Sequence, residues 1–398
     1  MAEAPEEKEI SKNRLLRLIY DSSFRSKIIQ LFVVLVTLGA AYFLISNIVN
    51  NLRQMELPFG FDFVTSTAGF DVSWSLIPYD PSMSYGRVYL VGIVNTIILS
   101  ILIILFSTLL GFAVGIMRLS KNLLVAQFAR WYVEFFRNVP LLIQIVFWFI
   151  VVFSTLPAPR QSFGLFDLFF LNNRGLYFPT PRFEDGFIWT LIALIIAFIV
   201  LIVIRRKSKA HRRATGRGWK HFYPLSVMLL AFLTSVFVIT GSPLEWGIPV
   251  LQGFNFDGGG YIPTAFVAAF TAMTIYRSAS IGETVRAGIQ SIPKGQLEAS
   301  TAIGFPPVQT LRFIVIPQAA RAILPPLINL WLTIVKESSL AVAIGFPELV
   351  SVFMQTSLNQ TGRAIEIVMM VMGFYMCASL TISFLLNQYN KRIQMQEG

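Results

Sequence analysis

A short polar tract interrupts the apolar run between residues 261 and 290. Within it Arg277, Ser280 and Glu283 follow one another at intervals of three residues, so on a helix they share one face. A guanidinium stays charged when it is buried, and its planar fork matches both oxygens of a carboxylate. This face is therefore a candidate binding surface for a solute that carries a carboxylate.

The same charges could instead neutralise one another. Arg277 could form an internal ion pair with Glu283, or Glu283 could pair with Arg286, which lies one turn further along. For Glu283 a structural or gating role competes evenly with solute contact. Arg277 is the better candidate for selectivity, because a carboxylate enters apolar surroundings at a high cost unless it has a partner.

Other polar residues in apolar segments are either binding groups or links between helices. For Lys336, gating or packing is favoured over contact with the solute. The candidate residues for the solute path are Asn95, Gln144, Arg277, Ser280 and Glu283. The candidate gating residues are Arg137, Lys336 and Glu337.

The chain lacks the residue patterns that enzymes use. It contains no G-x-x-x-x-G-K-[ST] sequence and hence no phosphate-binding loop of its own. Its one cysteine, Cys377, excludes an intramolecular disulfide, and both histidines lie in or beside a basic stretch. We therefore expect no catalytic residue, no metal site and no bound cofactor, and a membrane-bound enzyme is disfavoured. A carrier that runs on ATP would depend on a partner subunit that uses ATP and Mg.

The elements that must position these residues are membrane helices. The chain is 55% hydrophobic and 13% charged, with a mean hydropathy of +0.65, whereas soluble domains are about a quarter charged. Since roughly 20 apolar residues cross a membrane as a helix, we expect an all-α integral membrane protein with about eight spans. The expected spans are 28–49, 88–116, 132–153 (containing Pro140), 187–204, 222–240, 261–290, a seventh starting near Ile323, and 365–387.

The distribution of Lys and Arg predicts the orientation of these spans. The stretch 205–220 is the most basic of the chain, and the loop after the second span carries Arg118, Lys121 and Arg130. Because basic loops remain on the cytoplasmic side, we expect both termini to be cytoplasmic, in a bacterial inner membrane. The same rule accounts for the net charge of +11 without a nucleic-acid partner.

A punctuated loop between the sixth and seventh spans, residues 286–326, predicts a compact pair of short helices. Pro293 and Gly295 are expected to end the preceding helix, and a short helix over 296–303 carries Glu298 in its first turn. Gly304 then provides a C-cap.

A second short helix is expected to open at Pro307 and to break or kink at Pro317. A loop that merely connected two spans would not need this shape, whereas a docking surface on the cytoplasmic side would.

This loop resembles the EAA loop of permeases of ATP-binding-cassette importers. Glu298, Ala299, Gly304, Ile314 and Pro317 stand at the positions of that signature, with Ser300 and Ile316 as the two departures from it. The stretches 132–144 and 336–349 are similar to the polar amino-acid branch. The resemblance implies an ATPase-docking role for the following residues: Gly295, Glu298, Ala299, Gly304 and Pro317.

The resemblance covers roughly 88–153 and 261–390 and implies a five-span core with a cytoplasmic coupling loop. The expected organisation is a leader, first span and periplasmic loop (1–87), a permease domain (88–390) with a helix pair inserted at about 155–260, and a cytoplasmic tail (391–398). The layout is similar to permeases for general or acidic L-amino acids.

The resemblance also implies the partners of the chain. They are an ATP-binding-cassette ATPase dimer, a second and related permease, a periplasmic amino-acid-binding protein, the amino-acid substrate and the lipid membrane. The long loops 50–87 and 155–186 are expected to meet the binding protein. The alternative is an ion-coupled secondary transporter, which would need no docking loop and would favour inverted repeats.

Overall fold

The computed structural model describes residues 22–54, 60–184, 186–216, 219–241 and 244–394. The leader up to residue 21 and the last four residues of the tail lie outside the described residues, and so does the prediction for the position of both termini. The helices are α1 Ser22–Gln54, α2 Tyr85–Met117, α3 Leu123–Asn138, α4 Leu141–Phe147, α5 Phe187–Thr215, α6 Phe222–Ile239, α7 Thr264–Gln290, α8 Lys294–Ala302, α9 Pro307–Thr310, α10 Ile316–Glu337, α11 Leu358–Thr361 and α12 Ala364–Gln394. The all-α class is thereby confirmed.

Short strands occupy the two segments that flank the α5–α6 pair, where the sequence analysis predicted only loops. They are β1 Phe163–Leu165, β2 Phe169–Asn172, β3 Gly175–Phe178, β4 Thr180–Phe183, β5 Leu244–Gly247, β6 Val250–Gln252, β7 Asn255–Asp257 and β8 Gly260–Pro263. One antiparallel sheet has the order β1-β2-β3-β8, and β4–β5 and β6–β7 form two ribbons. Because β8 leads directly into α7, this sheet lies over the start of α7; we call it the strand end.

The centre of the molecule is the contact between α2 and α7, which both begin at the strand end. Gly111 and Gly115 of α2 face Ile281 and Val285 of α7 so closely that no side chain fits between the helices. Glycines one turn apart let membrane helices approach in this way. The solute-path candidates on α7 are therefore carried by the most tightly packed helix of the fold.

Six helices among the described residues are long and apolar enough to cross a membrane, and a bent pair would make a seventh. They correspond to the predicted spans 28–49, 88–116, 187–204, 222–240 and 365–387 and to the one predicted to start near Ile323. The helix α7 is not among them, because it carries the polar tract. The total of about eight spans therefore remains a prediction.

The predicted span over 132–153 is sharply bent at Pro140. The chain bends by 100° between α3 and the segment Leu141–Phe153, whose second half, Trp148–Phe153, is a π-helix. Pro140 cannot donate a backbone hydrogen bond, and it forces the preceding residue out of the helical region. Val139 accordingly has an extended backbone, with φ −94° and ψ 127°.

Of the two outcomes predicted for Pro317, a break or a kink, the break does not occur, and the kink stays a prediction. A π-helical stretch, Leu311–Val315, joins α9 to α10, and the helix over Pro307–Ile344 counts as one candidate span. Pro317 lies directly after the π-helical stretch, and local π adjustments of this kind accommodate a proline within a membrane helix. The helix predicted to start near Ile323 therefore begins earlier, at Ile316 or before.

Candidate functional site

An ion pair between Arg277 and Glu337 joins α7 to α10 inside the bundle. The Arg277 Nε donates a 2.7 Å hydrogen bond to Glu337 Oε2, and its Nη2 pairs with Oε1 of the same carboxylate. Only 8% of the Arg277 side chain is exposed, against 24% for Glu337. The ring of Tyr276 lies 5.2 Å from the guanidinium carbon. One edge of the guanidinium is therefore held by the protein in a bidentate arrangement.

The suggested pair between Arg277 and Glu283 is wrong. Six residues of helix separate them, about 9 Å along the axis, and the Glu283 carboxylate instead contacts Arg118 at the end of α2 and Arg286 one turn on. The alternative that paired Glu283 with Arg286 is confirmed, and Arg286 Nε donates to Glu283 Oε2 at 3.2 Å. Glu283 thus bridges α2 and α7.

A polar cavity of about 320 Å³ opens beside this bridge. Its lining residues are Arg118, Val133, Glu134, Arg137, Asn138 and Glu283. The gating candidate Arg137 therefore shares a cavity with Glu283 of the solute path. The cavity contains both carboxylates and guanidinium groups, so it presents charges of both signs.

The remaining candidates on α7 and α10 are more exposed. Ser280 is half-buried, and its carbonyl oxygen accepts a 3.1 Å hydrogen bond from the Thr284 hydroxyl. Lys336 is exposed, although its neighbour Glu337 belongs to the ion pair, because adjacent positions of a helix point in different directions. The structure therefore brings Glu337, but not Lys336, to Arg277.

Gln144 stabilises the bend between α3 and α4. Its Nε2 donates to the carbonyl oxygens of Phe136 at 2.8 Å and Val139 at 2.9 Å, which are orphan acceptors at the end of α3. This side chain is 5% exposed. The geometry gives Gln144 a structural task in addition to its predicted place in the solute path.

Asn95 fastens two irregular segments to α2. It is fully buried, and its Nδ2 donates to the carbonyl oxygens of Pro347 at 2.8 Å and Trp74 at 3.2 Å. The neighbouring Thr96 hydroxyl accepts a 3.1 Å hydrogen bond from the Leu349 N–H. The turn between α10 and α11 is thus held against α2.

We expect Asn95→Leu to lower the free energy of unfolding by about 2 kcal/mol or more, because two buried carbonyl groups lose their donor. Thermal unfolding of the purified protein measures the effect. Asn329→Leu is the matched control, since it makes the same chemical change at an exposed position of α10. Equal losses in the two variants would contradict the assignment.

The predicted docking loop is a short exposed helix, α8, that ends in a regular cap. The Gly304 N–H donates to Thr301 O at 2.9 Å and the Phe305 N–H to Ser300 O at 3.0 Å, while Gly304 has a φ of +80°. These two bonds and the left-handed residue form a Schellman motif. The predicted C-cap at Gly304 is confirmed.

Two details of that prediction are corrected. The helix begins at Lys294 with Pro293 as its N-cap, so Gly295 lies within α8 and does not end the preceding helix. For the same reason Glu298 is the fifth residue of α8 and not part of its first turn. The sequence analysis placed the start two residues late, because it took Gly295 as a helix breaker.

Most of this loop faces outward, and its exposed surface is apolar as well as polar. Glu298 and Ala299 are exposed, and so are the large side chains Ile303 and Val308. Ser300 is fully buried, and the Thr310 hydroxyl donates to its Oγ at 3.2 Å. Ser300, which stands where the signature has Ala, therefore adds a hydrogen bond between α8 and α9.

The sequence analysis did not identify two buried carboxylates, those of Glu348 and Glu366. Glu348 is fully buried and accepts 2.8 Å hydrogen bonds from the Val350 and Ser351 N–H groups. Glu366 is 2% exposed and accepts from the Gly60 N–H at 2.5 Å. A carboxylate next to a Gly-x-Pro break was the available signal for Glu348. For Glu366 no local pattern existed, since its partner is 306 residues away.

Comparison with known proteins gives a family and several long matches. A family model described as binding-protein-dependent transport system inner membrane component matches residues 107–393. The chain is 43% identical over 374 residues to the permease protein YhdX of Escherichia coli (strain K12), with 94% of this chain and 95% of YhdX covered.

Two further relatives have names that include a solute. The general L-amino acid transport system permease protein AapQ of Rhizobium johnstonii is 40% identical, with 95% of this chain and 94% of AapQ covered. The glutamate/glutamine/aspartate/asparagine transport system permease protein BztB of Rhodobacter capsulatus is 36% identical, with 96% of this chain and 97% of BztB covered.

Proposed function

The chain belongs to the family of inner membrane components of binding-protein-dependent transport systems, and we propose that it forms half of the pore of an ATP-driven amino-acid importer. It is an integral membrane transporter subunit and not an enzyme. In the proposed assembly it works with an ATPase dimer that uses ATP and Mg, a related second permease and a periplasmic amino-acid-binding protein. Both termini and α8 lie on the cytoplasmic side of a bacterial inner membrane.

The observation that carries this proposal is the exposed α8 with its Schellman cap, between two long helices of the bundle. It has the size and the mixed apolar and charged surface of a docking element. The helix α7 precedes α8 in the chain and α10 follows it, and these two helices carry Arg277 and Glu337. A movement of α8 would therefore be transmitted to both residues of the ion pair. We propose that Glu298, Ala299 and Gly304 contact the ATPase.

The proposed solute class is based on the charge inside the bundle. Arg277 offers donors beyond the edge that Glu337 occupies, and a guanidinium suits the carboxylate that all amino acids carry. Acidic amino acids have two such groups, and the names of AapQ and BztB include general and acidic amino acids. We propose polar or acidic L-amino acids as solutes, with Asn95, Ser280 and Glu283 along their path.

We expect Gly304→Pro to abolish the ATP hydrolysis that solute and binding protein stimulate, without preventing membrane insertion. Proline cannot adopt a positive φ and has no N–H to close the cap. The measurement is the ATPase activity of the complex in proteoliposomes. The stimulated rate should fall at least about tenfold, which corresponds to about 1.4 kcal/mol in activation free energy. Glu298→Arg should have the same effect by reversing the charge of the surface.

Gly241→Pro is the matched control. Gly241 follows the C-cap of α6, has a φ of +84°, and its N–H donates to Val238 O at 3.0 Å. Like Gly304, it has no neighbouring atom within 4 Å of an added Cβ. It should retain most of the stimulation. If ATP hydrolysis in Gly304→Pro is still stimulated by solute and binding protein, α8 is not the docking element. If an ion gradient drives uptake without the ATPase, the proposed function itself is wrong.

A further inference from the structure

The end of α5 carries the densest positive charge of the described chain. Between residues 205 and 213 there are six basic side chains, all exposed: Arg205, Arg206, Lys207, Lys209, Arg212 and Arg213. On a regular helix all of them except Lys207 fall within an arc of about 120°. The end of α5 therefore presents one broad, exposed basic face.

The hairpin itself contains no acidic residue that could neutralise this charge. The segment from Phe187 to Ile239, which comprises α5, α6 and their connection, contains no Asp or Glu. None of the six side chains forms an ion pair with another part of the chain that the structure describes. Within the described residues this basic cluster is therefore open to an anionic ligand.

The helices α5 and α6 form a hairpin that packs chiefly against itself. Ala193, Ala197 and Ile204 are the buried residues of α5, and α6 has none among its described residues. The hydroxyl groups of Thr190 and Thr240 lie 3.4 Å apart at the strand end of the hairpin. Most of its apolar surface consequently faces lipid.

The two helices differ in length in a way that places the charge at a membrane surface. The helix α5 has 29 residues and α6 has 18, a difference of about 16 Å. Since the helices are aligned at the strand end, the excess length of α5 projects beyond the start of α6. Trp219 and the exposed Tyr223 stand at that start, and such rings prefer the headgroup level of a membrane.

We propose that the projecting basic end of α5 binds the phosphate groups of anionic phospholipids in the cytoplasmic leaflet. Headgroup phosphates lie at the level where a helix emerges from the membrane, so they are within reach of this exposed basic face. A basic cluster directly beside a span is attracted to anionic lipids by about 1 kcal/mol per residue. The site gives the hairpin, which has little protein to hold it, an anchor that depends on the lipid composition.

The test uses the purified protein in nanodiscs of phosphatidylcholine alone or with about 30% phosphatidylglycerol. The neutral variant is Lys207→Gln, Lys209→Gln, Arg212→Gln and Arg213→Gln together, and it leaves Arg205 and Arg206 as topology signals. The control exchanges Lys and Arg at the same four positions and so retains the charge. The number of phosphatidylglycerol molecules that remain bound is read by native mass spectrometry, and the Tm is measured in both lipids.

Wild type and control should bind phosphatidylglycerol at least about tenfold and up to roughly 1000-fold more strongly than the neutral variant, because it lacks four charges, each attracted to anionic lipid by about 1 kcal/mol. This preference should weaken with salt, since exposed charges are screened. All three proteins should have the same Tm in phosphatidylcholine, which shows that the neutral variant is folded. Equal lipid binding in all three would overturn the proposal, and so would a charge-dependent affinity for an oligonucleotide without any lipid preference.

Discussion

Arg277→Met and Glu337→Leu should each lower the free energy of unfolding by roughly 3–5 kcal/mol, because each leaves one charge buried without its partner. The double variant should regain most of this loss, since apolar side chains of similar size replace a buried ion pair at little cost. Thermal unfolding of the four proteins completes a double-mutant cycle. The two side chains are bound to each other in a bidentate arrangement, so we expect a large coupling energy.

Uptake should follow a different pattern from stability. In Arg277→Met and in the double variant, we expect uptake of a labelled acidic amino acid to fall roughly 100-fold, or about 2.7 kcal/mol, because the cation that we propose as the partner of the carboxylate is absent. Arg277→Lys should recover part of the uptake, since the charge returns without the fork. Should the double variant regain both stability and uptake, Arg277 would have only a structural role.

The second large effect is expected at the contact of α2 with α7. Gly115→Leu should prevent the protein from folding stably, because a Cβ alone would lie 2.7 Å from both Gly282 O and Val285 Cβ. Gly115→Ala already forces the helices apart and should cost about 1–3 kcal/mol. The yield of monodisperse protein and its Tm in detergent measure both changes.

Gly373→Ala serves as the control for the glycine contact. This residue lies within α12 and has no neighbouring atom within 4 Å of an added Cβ. The substitution should be neutral or stabilising by up to about 1 kcal/mol, because alanine favours a helix more than glycine does. A loss of stability comparable to that of Gly115→Ala would show that any glycine of these helices is sensitive, and not the α2–α7 contact.

The sequence was sufficient where one local signal decided the structure. Runs of apolar residues located the long helices, although the end of α5 and the start of α10 lie outside the predicted bounds. Gly304 followed by two prolines predicted the end of α8. Local signals failed where two rules competed. Gly295 was interpreted as a helix breaker, although Pro293, two residues before it, is the N-cap of a new helix. Pro317 was interpreted as a break or kink, although it lies in the first turn of α10.

The sequence indicated the polar residues of α7 and the Glu283–Arg286 pair, but not the contacts that this helix makes with others. A spacing of three predicted that Arg277 and Glu283 share a face, whereas the structure turns them to different helices. The partner of Arg277, however, is 60 positions away on α10, and the further partner of Glu283 is Arg118, 165 positions away. Helical periodicity indicates which residues share a face and contains no information on which other helix that face meets.

The strand end brings together the two ends of the segment that contains the α5–α6 hairpin. Phe178, at the end of β3, is paired directly with Gly260, at the start of β8, so the polypeptide leaves and re-enters the sheet at neighbouring positions about 5 Å apart. Because the two ends of this segment lie side by side, its length does not affect the spacing between β3 and β8. An ancestor could have acquired residues 179–259 in one recombination event without altering the α2–α7 contact, and a graft of the same segment between paired strands of a shorter relative would retrace that event.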